Sequence, residues 1–221
     1  MNKTLTFKTT TKLFSALAFL LLGATSCSKK NEVTGTSYVQ VTNASEADSP
    51  FDFYVDATKE TTTPLAYTQS SAYVSVSSGD HPAAFKTASN GVNLTAFTIT
   101  PQPGLYYSIF YFGGTTVAMQ DDLSAPATGK ARVRFINLNP GVPTAVDFAV
   151  AGGATLASKL SLAVNSDYFN ADPATTFSAL STGTTTELIH ITTAIEAGHI
   201  YTIYLSGTLQ ADLQATVLLQ K

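Results

Sequence analysis

The chain has 221 residues, with 12 Lys and Arg against 15 Asp and Glu, a formal net charge of −3 and charged residues at only 12%. A mildly acidic chain whose arginines are Arg132 and Arg134 alone lacks the clustered cations that bind a phosphate backbone, so nucleic-acid partners are set aside. A single cysteine, Cys27, rules out an intrachain disulfide and a multi-thiolate metal site, and abundant Thr, Ser, Ala, Tyr and Phe fit a β-rich extracytoplasmic fold held by packing.

The N-terminus reads as an export signal. Lys3, Lys8 and Lys12 form a basic head, and residues 13–24 are an apolar run broken only by Ser15. That run is well short of the roughly 20 residues a spanning helix needs, so it is a signal core rather than a permanent anchor. Ala24, Thr25 and Ser26 then lead into Cys27, an arrangement that resembles the bacterial lipobox, in which the cysteine is acylated and becomes the new N-terminus. The expectation is a lipoprotein signal peptide over 1–26 and, over 27–36, a lipidated Cys27 with its tether, because acylation with more than one chain gives stable membrane attachment. The mixed charge of Lys29, Lys30 and Glu32 in S-K-K-N-E resembles the sorting segments of Bacteroidetes-type lipoproteins, and leaves open which side of the outer membrane the protein faces.

An internal repeat organises the rest. V-Q-V-T-N at 39–43 matches V-R-F-I-N at 133–137, and G-L-Y-Y-S-I-F-Y-F-G at 104–113 matches G-H-I-Y-T-I-Y-L-S-G at 198–207. Between these anchors F-D-F-Y-V at 51–55 corresponds to V-D-F-A-V at 146–150, and Tyr73 to Tyr168. V-A-M-Q at 117–120 pairs with V-L-L-Q at 217–220. Matches in the same order divide the chain into copy 1 over 37–126 and copy 2 over 131–221, joined by P-A-T-G-K.

Within each copy apolar residues alternate: Phe51, Phe53 and Val55 stand against Asp52 and Tyr54, and Val146, Phe148 and Val150 against Asp147 and Ala149. Period two means half-buried strands. Frequent turn clusters, S-E-A-D-S-P, S-S-G-D, S-N-G, P-Q-P-G and G-G, bound short runs, which predicts an all-β chain of two tandem immunoglobulin-like antiparallel β-sandwiches of about seven strands each. Residues 154–164 fit either a short helix or a strand. Asp52 and Asp147 read as the polar side of half-buried strands.

A G-x-x-Y element recurs at 104–107 and 198–201, placing Tyr107 and Tyr201 at strand starts after a glycine turn. It resembles the tyrosine corner of immunoglobulin-like sandwiches, in which the phenol bonds a nearby backbone group. V-R-F-I-N, a proline-bearing turn and V-D-F together resemble the domain of unknown function 4397 family over residues 38–220, with Gln40 in copy 1 where copy 2 has Arg134. The resemblance implies a secreted or lipid-anchored immunoglobulin-like module in bacteria, and it carries no catalytic residues to assign here.

Chemistry-bearing motifs are few. His81, His190 and His199 lack metal-ligand spacing, and no G-x-S-x-G, P-loop or EF-hand run occurs, so no cofactor, metal or catalytic residue is assigned. Asp121 and Asp122 read as a solvated turn, with a calcium ligand pair as the functional alternative. The distinctive feature is an aromatic stripe. If Tyr107, Ile109 and Tyr111 face inward like Tyr201, Ile203 and Leu205, then Tyr106, Phe110 and Phe112 point outward, where they either pack against the other copy or bind a carbohydrate or protein ligand. The expected function is a lipid-anchored, non-catalytic binding, adhesion or structural module of the cell envelope. The alternatives are a periplasmic accessory protein of a polysaccharide-handling or secretion assembly and a hydrolase with its site between the copies.

Overall fold

The structure, a computed structural model, describes residues 34–142 and 145–221. The signal peptide, Cys27 and the tether up to residue 33 lie outside the described residues. The described residues form one compact unit.

Copy 1 holds eight strands: β1 (Thr36–Asn43), β2 (Phe51–Val55), β3 (Thr58–Lys59), β4 (Val74–Ser77), β5 (His81–Thr87), β6 (Asn93–Ile99), β7 (Tyr106–Phe112) and β8 (Thr115–Asp121). Copy 2 holds β9 (Ala131–Asn137), β10 (Val146–Val150), β11 (Thr155–Leu160), β12 (Phe169–Ala171), β13 (Phe177–Ser181), β14 (Glu187–Ile191), β15 (Ile200–Ser206) and β16 (Gln214–Leu219), with a 3-10 turn, Gln210–Asp212, before the last. The chain is all-β with two sandwiches, and the 154–164 segment contributes a strand, β11.

The topology repeats in both copies. Copy 1 packs a sheet of order β4-β1-β7-β8 on one of order β3-β2-β5-β6, and copy 2 packs β12-β9-β15-β16 on β11-β10-β13-β14. Two details depart from the sequence reading. Each copy has eight strands instead of about seven, the extra one coming from short edge strands. Neither is wholly antiparallel, because β1 runs parallel to β7 and β9 parallel to β15. Strand direction depends on which distant strands become neighbours, and period-two alternation looks the same in both orientations.

Three apolar cores follow from the alternation. Val39, Val41, Phe51, Phe53, Phe85, Ile109 and Tyr111 fill copy 1, and Val133, Phe135, Phe148, Phe177, Ile203 and Leu205 fill copy 2. The third core lies between the copies. There Phe110, Phe112 and Met119, from the outer face of the β4-β1-β7-β8 sheet, meet Ile136, Leu138 and Tyr204 from the matching face of β12-β9-β15-β16. The molecule is therefore a stack of four sheets, and Phe110, Ile136 and Tyr204 in the middle seam are as fully buried as the core residues of either sandwich.

Candidate functional site

The aromatic stripe divides. Phe110 is 0% and Phe112 4% exposed in the third core, and the Phe110 ring meets Tyr204 edge-on at 5.2 Å. These two are seam residues, so of the two readings offered for the outward stripe, packing against the other copy holds for Phe110 and Phe112 and the candidate binding face does not include them. Tyr106, at the start of β7, lies beyond the apolar core and stays half-exposed. Tyr38 stacks on it at 4.6 Å with ring planes 14° apart, and Tyr73 approaches it edge-on at 5.2 Å.

Next to Tyr106 the seam turns polar. Asp121, at the end of β8, is buried and pairs with Arg134 of β9; the Nη2 to Oδ1 distance is 2.5 Å and the side chains are 0% and 1% exposed. Its other oxygen accepts from the Tyr73 hydroxyl (2.7 Å) and the Ser108 hydroxyl (2.8 Å). Arg134 also donates to Thr202 Oγ1 and to the Gln120 carbonyl, both at 3.1 Å. From copy 2, Gln220 donates to Ser108 Oγ (2.9 Å) and accepts from the Tyr168 hydroxyl (2.8 Å). Arg132 and Arg134 both lie over the Tyr168 ring, at 4.7 and 4.8 Å. A buried ion pair is tolerable only when its polar atoms find partners, and here each nitrogen of Arg134 and both oxygens of Asp121 have one.

This network sets the protonation of its members. Burial, then the Asp121 carboxylate, push the Tyr73 phenol far above its ordinary range. Burial likewise raises Tyr168 to about 12, against the opposing charge of Arg134. Asp122, one residue on, is exposed and held well below the usual carboxylate range by hydrogen bonds from Arg132 and Ser124. The two aspartates thus have separate arginine partners. Asp121 is not the solvated turn residue expected, since its cation comes from the other copy, and among the described residues no cluster of three or more metal-ligating side chains occurs.

Above the network opens a cleft of about 590 Å³, lined by Tyr73, Tyr106, Gln120, Asp122, Gln220 and Lys221 among others, so both copies contribute to it. Lys221 donates from Nζ to the Leu123 carbonyl at 3.1 Å, bringing the end of copy 2 against the segment after β8. The sequence pairing of Tyr73 with Tyr168 is the signal that could have found this region. The pairing of Gln120 with Gln220 is one position out, because Gln120 lies opposite Tyr107 whereas Leu219 lies opposite Tyr201, so that Gln220 is the counterpart of Asp121.

The other singled-out residues have structural duties. The Tyr107 and Tyr201 hydroxyls accept from the backbone N–H of Gln102 and Glu196, each at 3.1 Å. The bond closes the turn that Gly104 and Gly198 make with φ of +74° and +82°. Asp52 and Asp147 do stand on the strand face opposite the core, between Phe51 and Phe53 and between Val146 and Phe148, but they are buried there and not solvated. Asp52 binds Thr61 and Lys59, while Asp147 takes the N–H groups of Lys159 and Gly183 and the Thr182 hydroxyl, pinning β11 and the turn after β13 onto β10. Ser178, Glu187 and His190 meet on β13 and β14, but Ser178 and Glu187 both address Nδ1 of the ring. A nucleophile relay needs the acid on one ring nitrogen and the serine on the other, so this trio lacks that geometry. His81 bonds Asp56 through Nδ1 at 2.6 Å, and His199 lies in a separate turn.

The family described as Domain of unknown function (DUF4397) matches residues 37–149, copy 1 and the start of copy 2. The chain belongs to this family. No curated protein matches it. Among solved structures, the crystal structure of CBMbc (family CBM26) from Eubacterium rectale Amy13K in complex with maltoheptaose is similar over 84% of this chain and 97% of that one. The identity is 12% and the TM-score 0.27, a likeness too distant to carry that protein's ligand to this family member.

Proposed function

We propose that the protein is a lipid-anchored, non-catalytic binding module of the bacterial cell envelope, which meets a carbohydrate or protein ligand at the cleft on the seam between its sandwiches. The observation that carries this reading is the cleft itself. Rings and hydrogen-bonding side chains from both copies converge on it, and a buried network fixes its floor. Such a site is formed before the ligand arrives, so little ordering cost opposes binding. The basic head, apolar run and Cys27 support the anchor. Cys27→Ser tests it: the variant should leave the membrane fraction and take up no labelled fatty acid, and a variant that still sediments with membranes and is still labelled would end the lipoprotein reading. Protease shaving of intact cells distinguishes a surface position from a periplasmic one.

A further inference from the structure

We propose that the seam is a pairing surface with pseudo-two-fold symmetry, the same face of each sandwich turned on its counterpart. Its charges select the unlike copy, so the partner this face fits is the other copy of the module, in its own chain or in a neighbouring one.

The symmetry lies in residues that hold matching places in the two sheets. Phe110 of β7 and Tyr204 of β15 are counterparts, and they touch each other edge-on at 5.2 Å, as residues beside a two-fold axis do. Ala44 with Leu138, and Met119 with Leu218, bring further matched pairs to the third core. The polar rim repeats as well. The Tyr73 hydroxyl donates to Asp121 within copy 1, and the Tyr168 hydroxyl donates to Gln220, the counterpart of Asp121, within copy 2.

Charge breaks this symmetry. The chain's only arginines, Arg132 and Arg134, both stand on copy 2, and they meet Asp122 and Asp121 of copy 1. The mirrored side holds amides instead: the counterpart of Arg134 is Gln40, and Gln220 bonds Ser108, the register partner of Gln40 on β7. Both glutamines are buried, and Gln40 Oε1 has no partner among the described residues. The Asp122 carboxylate is open to solvent, so selection falls to the buried pair of Asp121 and Arg134. Two first copies face to face would bury two carboxylates without a cation, and two second copies would bury two guanidiniums without an anion. Like copies can still meet through their apolar residues when nothing else is offered, but an unlike copy displaces them. A chain delivered N-terminus first completes copy 1 before copy 2, and the lone buried carboxylate keeps neighbouring first copies from pairing in that interval.

The test moves the charges within the full chain, purified in detergent, using only residue types that the counterpart positions already hold. Gln40→Arg, Asp121→Gln, Arg134→Gln and Gln220→Asp together transfer the ion pair to the mirrored side. That fourfold variant should remain a monomer by light scattering and melt within a few degrees of the parent. Gln40→Arg with Asp121→Gln alone gives both faces an arginine, and Arg134→Gln with Gln220→Asp alone gives both an aspartate. Each of these half-variants should melt about 10 °C or more below the parent. Co-expressed, with a flexible Gly-Ser insert between Thr128 and Gly129, the two should form a mixed dimer that neither forms with itself. A fourfold variant as unstable as the half-variants would overturn the two-fold symmetry. Half-variants as stable as the parent, or as ready to pair with themselves as with each other, would overturn selection by charge. Half-variants that stay apart when co-expressed would overturn pairing between chains.

Discussion

At the scale of single residues, the buried pair and the tyrosine corners make the sharpest commitments. Removing Arg134 leaves the Asp121 carboxylate buried with two hydroxyl donors and no cation, so Arg134→Met should cost about 3–5 kcal/mol. Arg134→Met combined with Asp121→Leu removes both charges and should recover much of that loss, which a double-mutant cycle by urea unfolding would measure. An additive cycle would show that the pair is not coupled. Tyr201→Phe strips the acceptor from the Glu196 N–H and should cost about 1 kcal/mol, a drop of about 2–4 °C in a chain of this size, with Tyr107→Phe alike in the other copy. Equal losses would show that the two corners do the same work in the two sandwiches.

At the scale of elements, the seam between β7–β8 and β15–β16 titrates in alkali. Tyr168 rises from its ordinary 10.0 to about 12 in the folded state, and Tyr73 shifts further in the same direction. A raised folded pKa stabilises fully below the unfolded value and loses that contribution as pH rises through the folded one. The melting temperature should therefore hold from pH 7 to 9 and fall between about pH 10 and 12, and Tyr168→Phe should flatten part of that fall while lowering stability at pH 7 through its lost bond to Gln220. A profile unchanged in the variant would remove Tyr168 from the alkaline transition. Much at this scale was legible in the residues: the repeat, the strand runs and the faces of β7, whose Ile109 and Tyr111 do point inward and whose Phe110 and Phe112 do not. What was not legible depends on contacts across the chain. The parallel β1–β7 pair needs a neighbour more than 60 positions away, Asp121 looks solvated until Arg134 arrives from the other copy, and the burial of Asp52 and Asp147 depends on loops that fold back over them. The cleft was half legible, because Tyr106 could be named from strand parity while Gln220 and Lys221 reach the cleft only when the copies stack.

At the scale of the whole molecule, the third core makes two sandwiches into one body, and this is where a repeated chain differs from two beads on a string. Replacing Phe110 and Phe112 by Ser opens a cavity in the buried seam, and with large-to-small aromatic changes costing about 3–5 kcal/mol each when fully felt, the double variant should melt about 10 °C or more below the parent. A melt within 2 °C of the parent would mean that the seam contributes little. Copy 2 expressed alone sharpens the point. It keeps its own core of Val133, Phe135, Phe148 and Ile203 and should fold, but it bares Ile136, Leu138 and Tyr204 and leaves Arg134 without Asp121. A contiguous apolar patch of that kind drives association, so residues 131–221 should sediment as dimers or larger species, and Ile136→Ser with Tyr204→Ser should return them to monomers. If the unaltered fragment runs as a monomer, the third core is a contact of convenience. The cleft would then owe its shape to the covalent link between the copies and not to their packing.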